Sequence, residues 1–117
     1  MTRPADIRTL ALALPEAHEV LTWGEHPTFR VRGKIFAILA ADERSVRLKA
    51  THEAQAALVG SEPETFFLPS HVARFGWVGV DLARVDPEEL RELVEEAWRL
   101  TAPKRTIRAF ASSGLPD

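Results

Sequence analysis

No cysteine occurs among the 117 residues. That excludes disulfides, thiolate zinc sites and cysteine nucleophiles, and with them an extracellular disulfide scaffold. A reducing cytoplasm fits this composition and is the expected location. Long apolar runs are lacking as well: Arg3, Asp6 and Arg8 interrupt the N-terminal segment, so neither a signal peptide nor a membrane span is expected, and no membrane partner. Signatures of catalysis are missing in the same way, with no H-E-x-x-H, G-x-S-x-G elbow, Walker-type loop or G-x-G-x-x-G fingerprint. Four histidines are present, His18, His26, His52 and His71, but none pairs with another at metal-ligand spacing. Ser70 and His71 are neighbours, which does not set hydroxyl and imidazole in catalytic geometry; a helix cap at Ser70 accounts for the serine more simply. The expectation is a protein that is not an enzyme and has no cofactor or metal.

What is present is a single-domain length, enough to bury roughly two-thirds of the surface an unfolded chain exposes. The net charge is −2, which argues against a binder whose whole surface is positive. The charges are unevenly spread. Residues 28–49 hold six bases and two acids, while residues 86–99 hold six acids and two bases, so an electrically two-sided molecule is expected. The alternative is that both sets are ordinary solvated faces.

Thr28 to Lys49, TFRVRGKIFAILAADERSVRLK, reads as three short strands with turns at Arg32-Gly33 and Asp42-Glu43. Successive strand side chains point to opposite faces. Phe29 and Val31 therefore lie opposite Arg30, and Val46 and Leu48 opposite Arg47 and Lys49. Ile35 to Ala41 is apolar on both parities and wants cover on both sides or a central place in the sheet. The candidate nucleic-acid-binding set follows: Arg30, Arg47 and Lys49 on the open face, Arg32 and Lys34 at the hairpin end, Trp77 as the stacking ring with Phe36 nearby, and Lys104 and Arg105 adding reach from a basic tail. Bases pair with phosphates while flat rings stack on unpaired nucleobases. Two other readings stay open. Trp77 and Phe36 are covered by the 61–76 segment or by a second subunit, with the arginines laid over apolar surface on their methylene stems; or the same face docks a protein partner or a second copy in a homodimer.

Around these strands, a first helix is expected from Arg3 to Ala13 with Thr2 as cap, its Ile7, Leu10, Ala11 and Leu14 forming one stripe until Pro15 ends it. Residues 18–23 form a first strand. A short helix runs from His52 to Val59, capped by Thr51 and ended by Gly60. Residues 61–76 are irregular, with one helical turn between Ser70 and Gly76, and are long for a structureless loop. Trp77 to Leu82 alternates, with Val78, Val80 and Leu82 toward the helices. The last helix begins at Pro87 behind the cap Asp86, with Glu89 placed as a capping-box carboxylate, and ends near Thr101.

The pieces LALPEAHE (12–19), WGEHPTFRVRGKIFAIL (23–39), VRLKA (46–50), PSHVARFGWVGVDL (69–82) and EELRELVEEAWRLTAPKR (88–105), in this order, resemble the MmcQ/YjbR-like family. The resemblance implies an α+β fold similar to secretion chaperones, a curved antiparallel sheet packed by helices, here in the order α-β-β-β-β-α-β-α. One domain of this type is expected over residues 1–108, with 109–117 as a flexible C-terminal tail. Members of that family are commonly labelled DNA-binding through a proposed double-wing motif, which makes DNA or RNA the implied partner. Fold analogy alone does not establish an activity.

Overall fold

The computed structural model describes residues 2–22, 24 and 26–113. Its elements run α1 (Pro4–Leu12), β1 (Ala17–Thr22), β2 (His26–Val31), β3 (Lys34–Leu39), β4 (Ser45–Leu48), α2 (His52–Ser61), β5 (Phe66–Phe67), β6 (Val78–Asp81), α3 (Pro87–Arg99) and α4 (Lys104–Ser113), with a 3₁₀ turn at Ala73–Phe75. The six strands pair antiparallel in one open sheet, β1-β2-β3-β4-β6-β5. This is the α+β architecture expected, with one more strand and one more helix.

Alternation decides which side of the sheet is buried. Phe29, Val31, Leu39, Val46, Leu48, Val78 and Val80 all enter the core, where Ile7 and Ala11 of α1 and Leu90, Val94, Ala97 and Trp98 of α3 close over them. The β2–β3 hairpin turns on two residues, Arg32 and Gly33, both at positive φ (54° and 80°). That backbone matches the right-handed twist of the flanking strands. Between the pairs Phe29–Ala37 and Arg30–Ile35 the register slips by one residue. Phe36 is the extra residue of a β-bulge, and it joins Ala37 in the core. The bulge therefore removes Phe36 from the open face where strict alternation places it.

Helix ends follow local chemistry with some departures from expectation. Asp86 accepts from the N–H groups of Glu88 and Glu89 at 3.1 Å each, and Thr51 accepts from Ala54, both as expected of caps. Thr2 is not the cap of α1. Arg3 takes that position, its N–H donating to the Asp6 carboxylate at 2.8 Å, while Thr2 is buried beside the helix. Gly60 does not end α2, which continues to Ser61. Ser70 caps no helix either; its carbonyl accepts from Val72 N–H at 2.8 Å, and the 3₁₀ turn starts three residues later. Within the irregular segment Phe66 and Phe67 pair with Val80 and Gly79, a strand too short to show a period.

The residues read as a tail are helical as far as Ser113. Phe110 meets Trp98 edge-on at 5.1 Å and 68°, and Ile107 packs on the same core. Trp98 in turn donates from Nε1 to the Pro15 carbonyl at 3.0 Å, tying α3 to the α1–β1 turn. Trp23 and residues 114–117 lie outside the described residues.

Candidate nucleic-acid interface

The register places one residue from every strand in a single row across the face away from the core: Val20, Thr28, Ile38, Arg47, Gly79 and Phe67. Arg30 lies on this same face, two residues along β2 from Thr28. Strand parity thus sets Arg30 and Arg47 on one face, two strands apart and two residues out of line, and Lys49, half-buried, follows Arg47 at the same parity.

Arg30 is held in place by hydroxyls. Its Nε donates to Thr28 Oγ1 at 3.2 Å and its Nη2 to Thr22 Oγ1 at 2.9 Å. Thr28, fully buried, donates to the Val20 carbonyl at 2.8 Å. Its one proton being used there, the Thr22–Thr28 contact at 3.0 Å runs from Thr22 to Thr28. Two donors of the guanidinium are spent on neutral acceptors. Among the described residues the ion pairs fall on Arg8, Arg32, Arg84, Arg91 and Arg99, and none falls on Arg30, Arg47 or Lys49.

The other members of the expected set separate from this group. Arg32 pairs with Glu16, which also accepts from Thr106 of α4 at 2.8 Å. The hydrogen bonds from Arg32 and then Thr106 hold the Glu16 carboxyl below the ordinary carboxylate range. Arg32 is thus a structural clasp between the hairpin and α4. Arg105 lines the same corner as Arg32 and Glu16, and Lys34 and Lys104 are exposed at the starts of β3 and α4.

Neither expected ring is on the open face as a stacking platform. Phe36 has no exposed surface, and Trp77 is only 9% exposed. Its carbonyl accepts from Gln55 Nε2 at 2.6 Å, and the same amide nitrogen donates to Ala73 at 2.8 Å. His52 Nε2 lies 2.9 Å from the Arg74 carbonyl. α2 thereby pins the segment before β6. Among the described residues the exposed rings are Phe67, 38% exposed at the end of the cross-sheet row, and Phe75, 58% exposed with the Arg74 guanidinium 4.7 Å from its centroid. Sequence parity could not find them, because Phe67 lies in a two-residue strand and Phe75 in an irregular turn.

The acidic set is on the other side. Glu88 and Glu95 on α3 pair with Arg91, and Glu95 also with Arg99, on a helix whose apolar side packs against the core face of the sheet. The separation is incomplete: Glu43, Glu64 and Asp81 gather around Phe67 at one end of the outer face, and Arg91 and Arg99 stand among the acids of α3. No helix among the described residues is long and apolar enough to cross a membrane.

A six-stranded antiparallel sheet with α1 and α3 on one face and arginines on the other, the second face partly covered by residues 66–76 so that Thr28 and Ile38 are buried, defines a small α+β domain. The family model described as YjbR matches residues 12–100, and the chain belongs to the YjbR family. It is similar to uncharacterised proteins of Mycobacterium tuberculosis and Mycobacterium bovis, 41% identical over 59 residues, a match covering 50% of this chain and 46% of those relatives. The matched stretch is thus about half the length of those relatives. The crystal structure of Deinococcus radiodurans protein DR2400, with the family-model domain DUF419, superposes with a TM-score of 0.80 at 25% identity, covering 100% of this chain and 91% of that one.

Proposed function

We propose that this domain is a non-catalytic binding module that takes a polyanion, with single-stranded nucleic acid first, on its outer sheet face. The observation that carries the reading is the pair Arg30 and Arg47, which share that face without a carboxylate partner among the described residues. Arg30 is already ordered by two threonine hydroxyls, so little side-chain entropy is lost when a phosphate arrives. Phe67 sits two strands from Arg47 in the same row, roughly 10 Å away by strand spacing. Because Phe67 also borders a cavity holding Glu43, Glu64 and Asp81, the reading rests on the two arginines and not on a stacking ring.

Fluorescence anisotropy of a labelled oligonucleotide across a salt series tests this. Affinity is expected to fall steeply with salt, and the Arg30→Gln, Arg47→Gln double variant to lower the slope by about two phosphate contacts. Binding unchanged in the double variant overturns the assignment.

A second reading, a homodimer or protein-docking surface, is favoured by the exposed Phe67, Leu68 and Phe75 on the segment leading into β6. It predicts association that survives high salt, read by size-exclusion chromatography with light scattering.

A further inference from the structure

We infer that the pocket beside Arg47 binds a small organic anion, one carboxylate or phosphate group carried on a flat apolar body. This goes beyond the polyanion reading and does not depend on it. The pocket has a volume of about 410 Å³ and is lined by His26, Ile38, Arg47, His71 and Val72, within the usual size range of small-ligand sites. Ile38 comes from the middle of the sheet row and Val72 from the segment opposite, so the body of a ligand lies between two aliphatic side chains. His26 and His71 complete the lining, and an aryl ring is the smallest flat apolar body that the volume takes. Arg47 is the one strong base in the lining. It is half-buried and forms no ion pair with a carboxylate among the described residues, a placement that an incoming anion makes more favourable.

The backbone gives a second, independent reason. His71 sits at φ 68° between Ser70 and Val72, whose carbonyl and N–H bond at 2.8 Å. This is a γ-turn of the rare positive-φ kind. Strain of this sort is kept where surrounding structure holds it and is concentrated at binding sites. Here it brings His71 and Val72 to the pocket. The larger cavity at the far end of β4 and β6, about 550 Å³, sets Glu43, Glu64 and Asp81 against Arg44 and would repel the same ligand.

The test is titration of the ¹⁵N-labelled protein with benzoate, phenyl phosphate, benzyl alcohol and inorganic phosphate. Saturable amide shifts centred on Ile38, Arg47, His71 and Val72 are expected with benzoate or phenyl phosphate, and the tighter of the two identifies the anionic group. Benzyl alcohol and inorganic phosphate, each lacking one half of the chemistry, should bind about tenfold more weakly. Arg47→Gln should weaken the aryl anion by about tenfold, and Val72→Trp, which fills the pocket from a residue outside the strands, should abolish the shifts. The inference is overturned by an absence of saturable shifts at roughly 20 mM of either anion. Equal binding of benzyl alcohol, or binding unchanged in Val72→Trp, overturns it as well.

Discussion

The ring of Phe67 occupies the space where a side chain on Gly79 would begin: a Cβ added there would fall inside the van der Waals envelope of three ring carbons. The two residues are directly paired across β5 and β6, on the face that carries Arg47. Glycine in a strand interior normally weakens it, but close approach of an aromatic ring makes use of the gap.

Gly79→Ala is therefore expected to lift the Phe67 ring off the sheet and destabilise the domain by about 1 kcal/mol. In Gly79→Ala, Phe67→Ala the two losses should be less than additive, because the clash is gone. Urea unfolding of the three variants measures the coupling.

Gln55 satisfies two backbone carbonyls, of Ala73 and Trp77, with one buried amide nitrogen. Gln55→Leu leaves both without that donor and should cost about 1–3 kcal/mol. Hydrogen exchange should quicken over residues 70–77 before the rest of the sheet, since α2 no longer pins that segment.

The Glu16 clasp makes part of the stability acid-sensitive. Hydrogen bonds from Arg32 and Thr106 depress the folded-state pKa, so the contribution is present above the unfolded value and lost as pH falls through the lower folded value. Wild type should lose more stability than Glu16→Gln as pH drops from about 5 to 3, measured by denaturant unfolding at each pH.

Glu89 works in the opposite sense. Burial first, then Glu62, Asp86 and Glu92, push its carboxyl up, so its ionised form disfavours the fold above that raised pKa. Protonation relieves this as pH falls below the unfolded value. Glu89→Gln should raise the unfolding midpoint at pH 7, and the gain should vanish below about pH 4. The Asp86 carboxylate accepts from the Glu89 N–H, but the reciprocal bond from the Asp86 N–H to the Glu89 carboxylate is not made, so the expected capping box is half formed.

Asp86 alone holds two N–H groups at the start of α3. Asp86→Ala should cost about 1 kcal/mol, against about 3–5 kcal/mol for Trp98→Ala in the core, both measured by thermal or urea unfolding.

Five of the six strands, the hairpin turn at Arg32-Gly33, the long helix from Pro87 and the side of the sheet on which Arg30 and Arg47 sit were legible in the sequence, because each depends on local period, turn chemistry or caps. Strand parity is fixed within a few residues of chain, and Asp86-Pro87 announces a helix wherever it lies. Tertiary structure decided what parity could not: which surface residues keep company. The β3 bulge drew Phe36 into the core, α2 pinned the chain at Trp77 through Gln55, and Glu16 drew Arg32 away to α4. Each depends on a partner many residues distant, and a distant partner leaves no period in the sequence. The basic face was therefore written locally, while its exposed rings and its pocket came into being only when residues 66–76 folded back across it.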